Sequence, residues 1–146
     1  DPAKTAAAHR GGGLFTTGDV GWMDAEGYLY LTDRLIDMII SGGVNIYPAE
    51  IEAALATHPA VFDAAVIGVP NTEFGEEVKA IVQIAPGLSG DEALIKSLVR
   101  HCREALAGYK VPRTIEFRDT LPRTETGKLQ KRLLREPYWA ATGRSI

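Results

Sequence analysis

The sequence predicts an α+β domain, a small mixed sheet flanked by helices, preceded by a hairpin that would lean on missing neighbours. Three observations carry this. Two nearly continuous apolar runs, Val61 to Val69 and Val78 to Ile84, have the length and β-branched content of strands buried on both faces. Helical periods lie on either side of them, with Ile51, Ala54 and Leu55 in one and Ile95, Leu98, Val99, Cys102 and Leu106 in the other. The first 34 or so residues, by contrast, are Gly-rich and turn-broken and carry little core.

In chain order, Asp24-Ala25-Glu26-Gly27 is a turn and Tyr28-Leu29-Tyr30-Leu31 a strand, so this stretch forms a hairpin too small to be stable alone. Met38-Ile39-Ile40 is a short strand ending at Ser41-Gly42-Gly43. Tyr47-Pro48 opens a helix running to about His58, because Pro at the first helical position lacks only a donor that has no partner there. Glu50 and Glu52 sit in its first turn, where the helix dipole favours acids, and His58 sits at the other end, where a cation-capable ring is favoured before Pro59 stops the helix. The two apolar strands follow, separated by a loop from Gly68 to Glu77 that contains Pro70, Asn71 and Gly75. A longer helix runs from about Asp91 to Ala107, Thr114 to Arg118 alternates as a half-exposed strand, and a helix from Leu129 to Tyr138 closes the chain. The order of strand, helix, two strands, helix, strand, helix implies one compact layer rather than a doubly wound sheet.

The bulk properties narrow the function. The chain has 146 residues, 45% of them hydrophobic, and a formal net charge of −3. That charge argues against a general nucleic-acid binder, whose affinity rests on a basic surface. The single Cys102 excludes an internal disulfide framework, reads as a buried filler and fits a reducing cytoplasm. No stretch approaches the roughly 18 to 20 apolar residues of a membrane span. The start, Asp1-Pro2-Ala3-Lys4, lacks an initiating Met, so the expectation is a piece of a longer chain. One Cys and three well-separated histidines, His9, His58 and His101, give no metal-ligand spacing.

Three groups are candidates for chemistry. In Thr16-Thr17-Gly18-Asp19, the carboxylate can accept two hydrogen bonds from a ribose diol, or simply cap its own turn. In Thr32-Asp33-Arg34 through Gly43, Arg34 can hold a ribose or phosphate oxygen, or pair with Asp33, Asp37 or Asp19. Gly42 and Gly43 form a hairpin turn or let backbone approach a thin ligand; this is not the Walker loop, which ends in Gly-Lys-Ser/Thr. In Leu121-Pro122-Arg123-Thr124-Glu125-Thr126-Gly127-Lys128-Leu129-Gln130-Lys131, one lysine stands on a Gly-containing turn before a basic helix. Lys128, Lys131, Arg132 and Arg135 fall at i, i+3, i+4 and i+7, a single stripe that is either a solvated face or a seat for phosphate.

The order of these motifs resembles the C-terminal part of the acyl-adenylate-forming superfamily: Phe15-Thr16-Thr17-Gly18-Asp19, Thr32-Asp33-Arg34, Ile39 through Glu52, then Leu121 to Lys131. The form Ser41-Gly42-Gly43-Val44-Asn45-Ile46-Tyr47-Pro48 is most similar to fatty and aromatic acyl-CoA ligases. The resemblance implies that residues 1–34 are the tail of a large N-terminal adenylating domain and 35–146 a C-terminal lid. It implies a two-step reaction, in which carboxylate and ATP give an acyl-adenylate and CoA then displaces AMP. Lys128 is implied as the catalytic cation, Asp19 and Arg34 as nucleotide-binding, and Gly42 and Gly43 as lining the path of CoA. The hinge position, two residues after the motif arginine and usually Asp or Lys, falls here on Ile36, beside Asp37. ATP and CoA are the implied co-substrates, with Mg2+ expected through the N-terminal domain, and no metal site in this chain. The N-terminal domain of the same protein and a small carboxylic acid are the implied partners, and the fragment by itself is expected to be inactive. An adenylation lid that loads a carrier-protein phosphopantetheine, or a non-catalytic module binding nucleotide or CoA, is the alternative.

Overall fold

A computed structural model of the chain describes residues 1–142; the stretch 143–146 that closes the expected lid lies outside the described residues. The chain divides into two compact units, Asp1–Ile36 and Asp37–Ile146.

The first unit opens with α1 (Pro2–Ala8), a helix that the sequence reading did not anticipate. Its signal was local: the Asp1 carboxylate accepts from the N–H groups of Ala3 and Lys4 at 3.0 and 3.3 Å, and Pro2 starts the first turn. Two antiparallel strands follow, β1 (Asp19–Met23) and β2 (Leu29–Arg34). The turn between them is built on Asp24, whose carboxylate accepts from the N–H groups of Tyr28 and Glu26 and from the Tyr30 hydroxyl. These bonds, that of the Tyr28 N–H above all, hold its carboxyl below the usual range. Trp22 stacks on Tyr30 at 4.4 Å, yet Trp22, Met23, Leu29 and Leu31 stay exposed. A two-stranded ribbon has no interior in which to place them.

The second unit contains β3 (Ile39–Ser41), β4 (Val44–Ile46), α2 (Pro48–Ala56), β5 (Val61–Asn71), β6 (Gly75–Ile84), α3 (Glu92–Ala105), β7 (Thr114–Phe117) and α4 (Lys131–Ala140). Its sheet runs β4-β3-β6-β5, with β7 parallel to β6 and the remaining pairs antiparallel. This is the mixed sheet with flanking helices that the sequence predicts. β5 and β6 are buried on both faces because each face has its own helices. Val66, Val78, Ala80 and Val82 point into a core shared with Ile51 and Leu55 of α2 and Leu98 and Cys102 of α3. Ala65, Ile67, Val69 and Ile81 point the other way, against Leu134 of α4 and Leu121 of the segment that precedes it. Cys102 is the buried filler expected, and burial pushes its thiol up.

Three boundaries differ from the sequence reading. Gly42 and Gly43, both at positive φ, turn the chain back into β4, a strand too short for periodicity to reveal. The loop expected from Gly68 to Glu77 is mostly strand, with the reversal confined to 72–74. Pro70 is tolerated because β5 is the edge of the sheet, where a missing N–H costs no ladder bond. Finally, α4 begins at Lys131 rather than Leu129.

Where β7 and α4 meet, Glu116 accepts from the Tyr138 hydroxyl (2.5 Å), the Arg118 guanidinium (2.8 Å) and the Lys79 ammonium (3.3 Å). The Tyr138 bond first, then the two cations, hold the Glu116 carboxyl at about 2 against the opposing effect of burial. A depressed folded-state value contributes stability that is present above the ordinary carboxylate range and is lost as pH falls toward 2. Because the group is partly hydrated, the contribution is about 1–2 kcal/mol. Urea unfolding across pH is therefore expected to show Glu116→Gln less stable than wild type at pH 7, with the gap closing below pH 4; a gap independent of pH would refute this linkage.

Candidate functional site

Lys128 sits in a second hairpin, formed where Arg123 bridges to Leu129 in antiparallel fashion. The Gly127 N–H donates to the Thr124 carbonyl (2.9 Å), closing a tight turn, and Gly127 then takes φ +82°, which a side chain would oppose. Lys128 is held through its backbone: its N–H donates to the Thr124 hydroxyl (3.0 Å) and its carbonyl accepts from the Thr124 N–H (2.8 Å). Its side chain is exposed. The loop reading thus holds for Lys128, but the loop is a pinned one.

Two ion pairs pin this region, one to the edge strand β5 and one to α2. Arg123 reaches Asp63, at the start of β5, at 2.5 Å. Lys131, at the start of α4, pairs with Glu52 of α2 at 2.8 Å, and the same carboxylate oxygen, Oε1, accepts from the Val66 N–H of β5 at 2.7 Å. An edge strand leaves such N–H groups without a ladder partner, and Glu52 supplies one. This corrects the basic stripe. Lys128 precedes the helix, Lys131 is committed to Glu52, and Arg132 pairs with Glu136 one turn on at 2.7 Å. No single row of cations faces outward. The acids of the α2 first turn also do more than meet the dipole, since Glu50 binds Lys110 at 2.6 Å.

Gly42 and Gly43 lie at the tip of the β3–β4 hairpin, at φ +56° and +81°. The Gly42 N–H donates to the Phe74 carbonyl (2.8 Å), and a Cβ on Gly42 would stand 3.2 Å from the Phe74 ring. Phe74 belongs to the turn between β5 and β6, and the Arg113 guanidinium lies 4.7 Å over its ring. Gly42, Phe74, Arg103, Tyr109 and Arg113 border a cleft of about 680 Å³. The lysine hairpin is therefore anchored at Asp63 and the glycine hairpin beyond Asn71. Eight strand residues separate these anchors, ~26 Å at 3.3 Å per residue.

In the first unit, Asp19 and Arg34 are register partners of β1 and β2, with Arg34 Nε 3.9 Å from the Asp19 carboxylate. The structure brings these two predicted residues together, and the Arg34 to Asp19 pairing is the ionic alternative the sequence left open. Ile36 and Asp37 flank the division between the units; Ile36 is 69% exposed in a short 3-10 turn, Leu35–Asp37.

His58 plays a structural part just beyond the helix end, through hydrogen bonds of its ring. α2 ends at Ala56, the Ala60 N–H donates to His58 Nδ1, and Nε2 bonds the Ser97 hydroxyl at 3.1 Å. Burial first, then the neighbouring His101 and Arg100, push its pKa down, and the ring links the segment after α2 to α3. His101 lies edge-on to it at 5.2 Å, a proximity that a separation of 43 positions conceals in the sequence. Among the described residues no group of three or more His, Cys, Asp or Glu could hold a metal ion, and no helix is long and apolar enough to cross a membrane. Sequence reasoning missed Glu52, Asp63 and Arg123 as the supports of Lys128; only the motif position of Arg123 offered a signal.

The family model that describes the AMP-binding enzyme C-terminal domain matches residues 50–128, and the chain belongs to that family. It is 50% identical over 134 residues to a 2-succinylbenzoate–CoA ligase of Geobacillus kaustophilus, covering 92% of this chain and 26% of that protein. It is 48% identical over 128 residues to the long-chain-fatty-acid–CoA ligase FadD13 of Mycobacterium tuberculosis, covering 88% and 25%. Among solved structures, ATP-bound MatB from Rhodopseudomonas palustris superposes with a TM-score of 0.83 at 42% identity, over 94% of this chain and 27% of that one. The chain thus spans about a quarter of the length of the curated relatives it matches.

Proposed function

We propose that this chain is the lid of an ATP-dependent carboxylic acid–CoA ligase, inactive by itself and completed by a large adenylating domain of the same protein. In the first step, a carboxylate oxygen attacks the α-phosphorus of ATP and pyrophosphate leaves. In the second, the CoA thiol attacks the acyl carbon and AMP leaves. The relatives' names as CoA ligases support the reaction class, and the ATP-bound relative supports the nucleotide. Mg2+ accompanies the ATP through the adenylating domain. We place the enzyme in the cytoplasm, where both co-substrates are made and a free thiol such as Cys102 stays reduced.

The observation that carries this reading is the separation of the two hairpins. Negative charge develops at the α-phosphate and carboxylate oxygens during adenylation, and a preplaced cation such as Lys128 stabilises it. Asp19 accepts from the ribose hydroxyls, and Arg34, at 3.9 Å from it, assists at ribose or phosphate. CoA requires a different surface. Gly42 and Gly43 present bare backbone for its thin pantetheine arm, and the adjoining cleft carries Arg103 and Arg113, cations suited to its phosphates. Hairpins hung from anchors ~26 Å apart on one rigid ribbon do not both face one reaction centre in a single orientation. The lid therefore turns between steps, about the boundary at Ile36 and Asp37.

Removing a transition-state donor of this kind costs ~2.7–4 kcal/mol, or ~10²–10³ in rate. In the complete ligase, Lys128→Ala is expected to lose that much of adenylation, read by ATP–pyrophosphate exchange, while thioester formation from supplied acyl-adenylate is retained; equal loss in both would refute the assignment. Gly42→Leu meets both the positive φ and the Phe74 ring, and is expected to impair thioester formation more than tenfold with adenylation nearly intact. A selective adenylation defect would count against it. Ile36→Pro locks one backbone torsion at the boundary and is expected to preserve one half-reaction at the expense of the other in stopped-flow assays; unchanged rates in both would move the pivot elsewhere.

A further inference from the structure

Resting on the reading of Lys128 above, we propose that Asp63, a residue of β5 outside every motif the sequence offers, is a positioning residue for Lys128 and acts through Arg123. The chain of contacts is short and complete. The Asp63 carboxylate is itself oriented by the Ala64 N–H, which donates to Oδ1 at 2.9 Å. Its Oδ2 accepts from both Nε and Nη2 of Arg123, at 3.2 and 2.5 Å. The remaining arm of the guanidinium, Nη1, donates to the Gly127 carbonyl at 2.6 Å.

That carbonyl belongs to the peptide whose N–H is Lys128's own. Arg123 thus holds one end of the Gly127–Lys128 peptide while the Thr124 hydroxyl holds the other. Gly127 at φ +82° is the most permissive residue of the turn, and an unrestrained glycine here would let the following lysine swing. The planar fork of Arg123 removes that freedom by tying the peptide to the edge of the sheet. Just beyond the hairpin, the Lys131 to Glu52 pair ties the start of α4 to α2, whose Glu52 also accepts from the Val66 N–H of the same strand.

The Asp63 to Arg123 pair is part-exposed, with side chains 22% and 43% accessible, so it contributes little to folding. Its effect falls on geometry. Misplacement of a catalytic group by about 1 Å is enough to cost on the order of 100-fold in rate. A lysine would carry the Arg123 charge but lacks the fork that spans Asp63 and the Gly127 carbonyl at once.

The test uses the complete ligase and four variants: Asp63→Asn, which keeps the side-chain shape, Arg123→Lys, Lys128→Ala, and Asp63→Asn combined with Lys128→Ala. Asp63→Asn and Arg123→Lys are each expected to lower the adenylation kcat on the order of 10- to 100-fold, with the KM for ATP changed less than about twofold and thioester formation from supplied acyl-adenylate unchanged. In the Lys128→Ala background, Asp63→Asn is expected to cause no further loss, since it acts only through that lysine. An undiminished loss in that background, equal loss in both half-reactions, or no loss from either single variant would overturn the proposal. Lys128→Ala alone separates the two claims: if it spares adenylation the reading of Lys128 fails and this inference with it, whereas if it abolishes adenylation while Asp63→Asn is silent, only the role of Asp63 fails.

Discussion

The antiparallel ladder between β5 and β6 is the constraint on which the rest of the structure depends. It runs from the pairing of Val61 with Ile84 to that of Asn71 with Gly75, and its side chains are buried on both faces. A sheet buried twice over resists bending, because Val66, Ala80 and Val82 are packed under α2 and α3 while Ile67 and Ile81 are packed under α4. Whatever is attached to its ends is held at a fixed separation. The lysine hairpin hangs from Asp63 at one end, and the glycine hairpin is hydrogen-bonded to Phe74 at the other.

The edge position of β5 adds a second consequence. Edge N–H groups need partners, and here a carboxylate from α2 rather than another strand satisfies the Val66 N–H. The same carboxylate then binds Lys131 at the start of α4, so protection of the edge and placement of the chain just after the lysine hairpin are one arrangement. Part-exposed pairs such as that of Asp63 and Arg123 contribute little stability singly. Their value lies in fixing a loop that would otherwise pivot on Gly127.

Much of this was legible in the sequence, and the parts that were not share a cause. The unbroken apolar runs from Val61 and Val78 declared strands buried on both faces, and Pro48 and the Ile51, Ala54, Leu55 spacing declared α2, because those signals are local and periodic. The ordered motifs pointed to the family that residues 50–128 match. Strand β4 escaped because three residues carry no period, and Pro70 disguised strand as loop because sequence alone does not say which strand is an edge. The basic spacing from Lys128 to Arg135 suggested a stripe, but Lys131 answers to Glu52, 79 positions away, and the turn at Gly127 takes Lys128 off the helix. Asp63 and Arg123 are 60 positions apart, and no local pattern pairs them.

The central claim is that the two ends of one rigid ribbon are presented in turn to a single reaction centre. It is tested most directly by a distance between the two units in the complete ligase, stripped of other exposed cysteines and spin-labelled at Ala25→Cys in the hairpin turn and at Glu125→Cys beside Lys128. Pulsed electron-spin measurements with ATP and a non-reacting acid, and then with an acyl-adenylate analogue and CoA, are expected to give two distance distributions that differ by more than about 10 Å, on the scale set by the ~26 Å ribbon. One distribution unchanged between the two states would contradict the account.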